Sequence, residues 1–171
     1  QFLSYGVGYL QAHTPLTTAE TASVFGEMIV FRRLLDAQTS DRAKLGLLAS
    51  KIEGHFATVF RQIAMHNFEY RAHVARRKEG ELSTDRMSEL WFEANSEMFG
   101  DSVILRDDYR VWWSYIPHFI RTPFYVHAYA FGDLLVLGLV QRYQEQGDAF
   151  MPRYVEMLTK GGSVSPIALM E

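Results

Sequence analysis

The sequence predicts an all-α protein, a single multi-helix domain, and three observations predict it. Apolar residues recur at helical spacing along most of the 171 residues. No stretch carries the strict alternation of a half-buried strand. Helix starts of the Ser, Thr or Asp type and glycine stops fall at the edges of the periodic segments.

Taken in order, Gly6-Val7-Gly8 and His13-Thr14-Pro15 mark an irregular opening. From Leu16 the pattern is helical: Thr17 or Thr18 can cap, and Glu20 in the first turn suits the positive end of the helix dipole. Val24, Met28, Phe31 and Leu35 give that helix its apolar stripe. Thr39-Ser40-Asp41 caps a long second helix, which runs to about Arg77 and stops near Gly80. Leu45, Leu48, Ile52, Phe56, Val59, Phe60 and Ile63 form its stripe, with a period near 3.6. Ser83 or Thr84 starts a third helix through Leu90, Trp91, Ala94 and Met98, closed by Gly100. Asp107-Asp108 opens a short segment containing Trp112-Trp113. Thr122-Pro123 reads as an N-cap followed by proline at the first helical position, so a helix is expected from Phe124 to about Glu145. Gly147-Asp148 begins a short helix that Gly161-Gly162 ends, and Ser165-Pro166 reads as one more start.

Composition narrows the function classes. Apolar residues at 48% and charged residues at 22% are those of a globular chain, which excludes disordered and collagen-like proteins. A net charge of −3 offers no basic field for nucleic acid or an anionic membrane. The absence of Cys excludes a disulfide scaffold, a thiolate metal knuckle and a cysteine nucleophile, and fits a reducing, cytoplasmic setting. The most apolar stretch, Ile116 to Val140, is interrupted by His118, Arg121, His127 and Asp133, so it reads as buried rather than membrane-spanning. Both ends read as cut: Gln1-Phe2-Leu3-Ser4 is neither an initiator nor a signal sequence, and the chain stops just past a helix start.

Three groups of residues could carry chemistry. On a helix, Glu20, Ser23 and Glu27 share one stripe at i, i+3 and i+7, two carboxylates and a hydroxyl amid apolar neighbours. A carboxylate is expensive to bury unless a cation or hydrogen bonds compensate it, and from spacing alone a solvated face, or Glu20 meeting the helix dipole, is the favoured reading. Next, Tyr125, Tyr129 and Asp133 line one side at i, i+4 and i+8, and Gly132 would let something approach that side closely. Phenols there, with the nearby His118 imidazole, could donate hydrogen bonds to a developing oxyanion; a packed aromatic helix is the alternative. His127 is turned roughly 200° from Tyr125 and should face elsewhere. Last, His66, Glu69, Tyr70 and His73 share a face of the long helix. A bundle metal site needs the order Glu-x-x-His and partners from other helices, so a solvated or helix-contact face is the better explanation.

Taken together, the first two groups carry a resemblance. The run Thr14-Pro15-Leu16-Thr17-Thr18-Ala19-Glu20-Thr21-Ala22-Ser23-Val24-Phe25-Gly26-Glu27 resembles the segment that follows the zinc motif in the oligoendopeptidase F family of thimet-like zinc metallopeptidases. Phe56 to Ala64, Met98-Phe99-Gly100-Asp101, Pro117-His118-Phe119-Ile120 and Pro123-Phe124-Tyr125 are similar to the rest of that catalytic domain. The resemblance covers essentially the whole chain. It implies that residues 1–171 are the C-terminal part of a zinc-peptidase catalytic domain, within a larger and mostly helical enzyme that hydrolyses internal bonds of short peptides.

In that family two imidazoles of a His-Glu-x-x-His helix and one further Glu hold zinc and leave a fourth position for water. Glu20 matches the third ligand, Glu27 would support it or orient a partner helix, and Ser23 would be a local hydrogen-bonding residue. His118, Tyr125 and Tyr129 match the segment that contacts substrate and stabilises the tetrahedral intermediate, with the choice of phenol left open. The sequence departs from the family in lacking His-Glu-x-x-His, which would have to lie upstream of the nineteen residues preceding Glu20. It also carries His127 where relatives often have Tyr. The implied partners are therefore short peptides and a missing N-terminal part of the same protein. The competing readings are a non-enzymatic helical interaction module and a bundle metal site through His66, Glu69 and His73.

Overall fold

Helices carry the fold from end to end in a computed structural model that describes residues 2–170. Two 3₁₀ turns, Phe2–Val7 and Tyr9–Gln11, precede α1 (Leu16–Ala19), α2 (Thr21–Asp36) and α3 (Asp41–His55). A π-helical turn at Phe56–Phe60 leads into α4 (Arg61–Glu79), and α5 (Thr84–Phe99) follows. A 3₁₀ segment, Asp107–Tyr115, comes before α6 (His118–Arg121) and α7 (His127–Gln146). A last 3₁₀ turn, Gly147–Phe150, precedes α8 (Met151–Thr159) and α9 (Pro166–Met170). Among the described residues there is no strand, so the all-helical prediction holds. The contacts gather in two units, Gln1–Ile52 with Phe131–Glu171, and Glu53–Ala130.

The second unit is built on the α4–α5 pair. Met65, Phe68, Ala72 and Ala75 recur at helical spacing on α4 and bury against Leu90, Trp91 and Ala94 of α5, with Ile116 and Val126. Phe68 meets Trp91 edge-on, ring centroids 5.4 Å apart, a favourable arrangement of the ring quadrupoles. The Trp91 indole N–H donates to the Tyr109 carbonyl at 3.0 Å, which satisfies the one polar atom of the buried ring. The ends of this pair follow the sequence signals. Ser83 Oγ accepts from the Arg86 N–H at 3.2 Å as an N-cap, and Gly80 closes α4 at φ 89°.

The first unit centres on Phe25 and Met28 of α2, Val136 and Val140 of α7, and Phe150 and Tyr154. Phe25 stacks on Tyr154 with centroids 4.2 Å apart, and burial pushes the Tyr154 phenol up to about 12. The opening segment is tied down by the Ser4 hydroxyl, which donates to the Ala12 carbonyl at 2.7 Å, and by the Gly162 N–H, which donates to the Gln11 carbonyl at 2.7 Å. A Cβ on Gly161 would fall 2.5 Å from that same Gln11 oxygen, so glycine is required there.

Three local expectations are corrected. The helix expected from Leu16 breaks at Glu20, whose φ of −90° and ψ of −4° separate α1 from α2. Thr122-Pro123 is not a helix start. Thr122 to Tyr125 form a turn closed by the Tyr125 N–H on the Thr122 carbonyl at 3.2 Å, and α7 begins only at His127. The apolar stripe of the second helix is not a core stripe: no residue of α3 is buried, and Leu45 and Ile52 are 67% and 56% exposed. Helical period reports that a face is apolar, not that something within the chain covers it. Among the described residues no helix is long and apolar enough to cross a membrane.

Candidate active site

Glu20 occupies the joint between α1 and α2, half-buried, with the chain turning around it. Its carbonyl accepts from the Val24 N–H at 3.1 Å and from the Ser23 hydroxyl at 2.9 Å. Ser23 thus spends its hydroxyl on the first turn of α2. Thr21 is fully buried, and the hydroxyls of Thr17 and Thr21 on either side of Glu20 meet no hydrogen-bonding group. Gly132 of α7 comes close: a Cβ there would lie 3.3 Å from Glu20 Cβ. The sequence indicated a close approach at Gly132, and its partner is Glu20. Glu27 lies further along α2, exposed, and pairs with Lys51 of α3 at 2.8 Å. An exposed pair of this kind contributes about 0–1 kcal/mol, and its role is to link the two helices.

In the second unit the structure brings His118, Tyr125 and Tyr129 together. His118 opens α6 directly after Pro117, and Tyr125 leaves the turn that leads to α7. The rings of His118 and Tyr125 are 5.9 Å apart and nearly parallel, and Tyr129 meets Tyr125 edge-on at 5.3 Å. Tyr129 Oη and His118 Nε2 are 3.3 Å apart. All three rings are half-buried. The direction of that hydrogen bond decides what the cluster can do. With its proton on Nε2, His118 donates to Tyr129 Oη. With Nε2 bare, the phenol proton is consumed inside the cluster.

His127 turns to the opposite side, as its helical direction requires, and its ring lies 5.4 Å from that of His66 on α4. The face bearing His66, Glu69, Tyr70 and His73 is divided: Tyr70 and His73 are exposed, whereas Glu69 is 2% exposed. Glu69 Oε1 accepts the Phe124 N–H at 2.7 Å, and its Oε2 is buried without a hydrogen-bond partner, as are His66 Nδ1 and His127 Nδ1. Phe124 has φ 59°, and its ring lies 4.8 Å from that of His73. Sequence reasoning placed Glu69 on a face read either as a bundle metal site or as a solvated or helix-contact face. Its partner lies 55 residues away, so no local signal could reveal the contact. Among the described residues no three His, Asp or Glu side chains are placed to hold a metal ion, so the bundle site is not formed.

The family model described as peptidase family M3 matches residues 7–171. Oligopeptidase PepF of Bacillus subtilis (strain 168) is 28% identical over 170 residues, which cover 95% of this chain and 25% of that protein. The plasmid-borne oligoendopeptidase F of Lactococcus lactis subsp. cremoris is 28% identical over 162 residues, covering 95% of this chain and 27% of its own length. The crystal structure of oligoendopeptidase-F from Enterococcus faecium superposes with a TM-score of 0.78 at 26% identity, covering 99% of this chain and 32% of that one. The chain therefore spans about a quarter of the length of the curated relatives it matches.

Proposed function

The chain belongs to peptidase family M3, and from that premise we propose that it is part of a zinc metalloendopeptidase acting on internal bonds of short peptides. The observation that carries this reading is the convergence of His118, Tyr125 and Tyr129, two phenols and an imidazole within ring contact. Hydrogen-bond donors of this type, held before substrate arrives, favour a transition state in which a carbonyl oxygen gains negative charge. Tyr129 Oη and His118 Nε2, 3.3 Å apart, present a phenol and an imidazole side by side to the substrate oxygen. Tyr125 supplies a second phenol beside it.

The donor chemistry fits zinc in part. Glu20 offers one carboxylate of the kind zinc takes, and no three-ligand group exists among the described residues. Glu20 would hold the metal together with the imidazoles of a His-Glu-x-x-His motif that the rest of the full-length protein would supply. When bound, the metal supplies Lewis acidity and a water activated at neutral pH. Ser23 and Glu27 act by holding α2, through the Glu20 carbonyl and through Lys51. The exposed apolar side chains of α3 fit a protein in which further polypeptide covers them, the N-terminal part of the same enzyme. This chain alone binds zinc weakly and has no peptidase activity.

Steady-state kinetics of the full-length enzyme on a short quenched peptide test the reading. Tyr125→Phe, Tyr129→Phe and His118→Ala lower kcat, the strongest of them by about 10²–10³, with KM little changed. His127→Phe leaves turnover near the parent value. Silent changes at both tyrosines, with turnover lost at His127, would put the active face of α7 on the other side.

A further inference from the structure

We propose that Glu69 is a positioning residue: its buried carboxylate holds Phe124 in a left-handed backbone conformation, and that clamp sets where Tyr125 points. The inference rests on the assignment of Tyr125 above for its catalytic consequence, but not for its geometry.

Phe124 is the single non-glycine residue with positive φ among the described residues, at 59°. It is the third residue of the turn Thr122-Pro123-Phe124-Tyr125, which the Tyr125 N–H closes on the Thr122 carbonyl. Proline at the second position and positive φ at the third are the pattern of a type II turn, where glycine is the usual third residue. A side chain with Cβ is strained in this region. Such strain persists only when the surroundings hold it, and Glu69 does so. Its Oε1 takes the Phe124 N–H at 2.7 Å, reaching from α4 across 55 residues of sequence. The Phe124 ring then lodges between His73 at 4.8 Å and His66 at 6.3 Å.

The consequence falls on the next residue. Tyr125 has its N–H in the turn and its carbonyl on the Ala128 N–H at 2.9 Å, so both of its backbone groups are committed as the chain enters α7. Val126 and Ala128 beside it are almost wholly buried. Relaxing φ at Phe124 would rotate the Tyr125 backbone and carry the phenol away from His118 and Tyr129. Burying a carboxylate with one oxygen unpartnered is costly. A side chain serving only to fill space would avoid that cost, which is the sign of a task beyond packing.

Two substitutions separate reach from charge. Glu69→Gln keeps an acceptor at the same distance from Phe124 but loses the charge. Glu69→Asp keeps the charge but withdraws the acceptor by one methylene. In full-length enzyme carrying 3-fluorotyrosine at position 125, Glu69→Gln leaves the fluorine resonance close to the parent position. Glu69→Asp shifts it and lowers kcat by up to about 10²-fold with KM little changed, the effect of a misplaced group. Phe124→Gly, for which φ 59° is relaxed, returns the resonance and part of the turnover in the Glu69→Asp background. If Glu69→Asp does not fold, the same second change restores folding. An unmoved resonance in Glu69→Asp, an Asp variant milder than the Gln variant, or no rescue by Phe124→Gly each overturns the clamp. If the resonance moves and is rescued while Tyr125→Phe is catalytically silent, the clamp stands and the oxyanion role of Tyr125 falls.

Discussion

Replacing Gly132 by alanine asks how much depends on the placement of Glu20. Gly132 lies inside α7, buried, and is absent from the positive-φ residues, so its backbone accepts alanine. The added Cβ would sit 3.3 Å from Glu20 Cβ and 3.9 Å from the Glu20 carbonyl carbon. Carbon atoms pack best at about 3.5–4.0 Å, so Glu20 must retreat by a few tenths of an ångström. Alanine gains about 0.8–1.0 kcal/mol over glycine inside a helix, which offsets a mild overlap. Net stability should therefore change by no more than about 1 kcal/mol, measured by urea unfolding. The site should respond more strongly. Displacing a metal ligand through its surroundings typically weakens metal binding by about 10–100-fold. Competition titration of zinc against a chelator, on full-length Gly132→Ala, reads this directly. Unchanged zinc affinity together with unchanged turnover would refute the idea that the position of Glu20 matters. A stability loss above about 3 kcal/mol would refute the statement that the contact yields.

Two further predictions concern the fold. Burial pushes the Tyr154 phenol up to about 12, above the ordinary value of about 10 it has when unfolded, so the unfolded chain loses its proton first. Stability should fall as pH rises between these values, by no more than about 3 kcal/mol, and Tyr154→Phe should flatten that fall in urea titrations. On α3, Leu45→Lys and Ile52→Lys should change the stability of this chain by less than about 0.5 kcal/mol, because both side chains already face water. The same changes should lower the melting temperature of the full-length protein if further polypeptide covers that face, and equal melting temperatures would contradict the covering.

What the sequence made legible was local. Ser83 as a cap and Gly80 and Gly100 as stops could be read because the chemistry that sets them lies within a few residues. The grouping of Tyr125 with Tyr129 was legible from their spacing, and that of His118 with them from the resemblance to the family's segment. The turn at Phe124 was not. Thr-Pro ahead of a helical pattern is a good N-cap signal, and the Glu69 carboxylate that accepts the Phe124 N–H lies 55 residues away, beyond the reach of local patterns. The face of α4 was equally ambiguous. Spacing groups His66, Glu69, Tyr70 and His73, but it cannot tell that Glu69 points inward while Tyr70 points to water. The stripe on α3 shows the same limit from the other side, since periodicity gave an apolar face and Leu45 and Ile52 on it stay exposed among the described residues.

The central claim is that Glu20 is a zinc ligand in the intact enzyme, and Glu20→Gln tests it most directly because the shape is kept and the anionic donor is lost. Zinc per polypeptide in purified full-length protein, measured by elemental mass spectrometry after dialysis, should fall far below that of the parent while the circular dichroism spectrum stays the same. Full zinc occupancy with normal turnover in Glu20→Gln would contradict the account and leave Glu20 as the residue that turns the chain between α1 and α2.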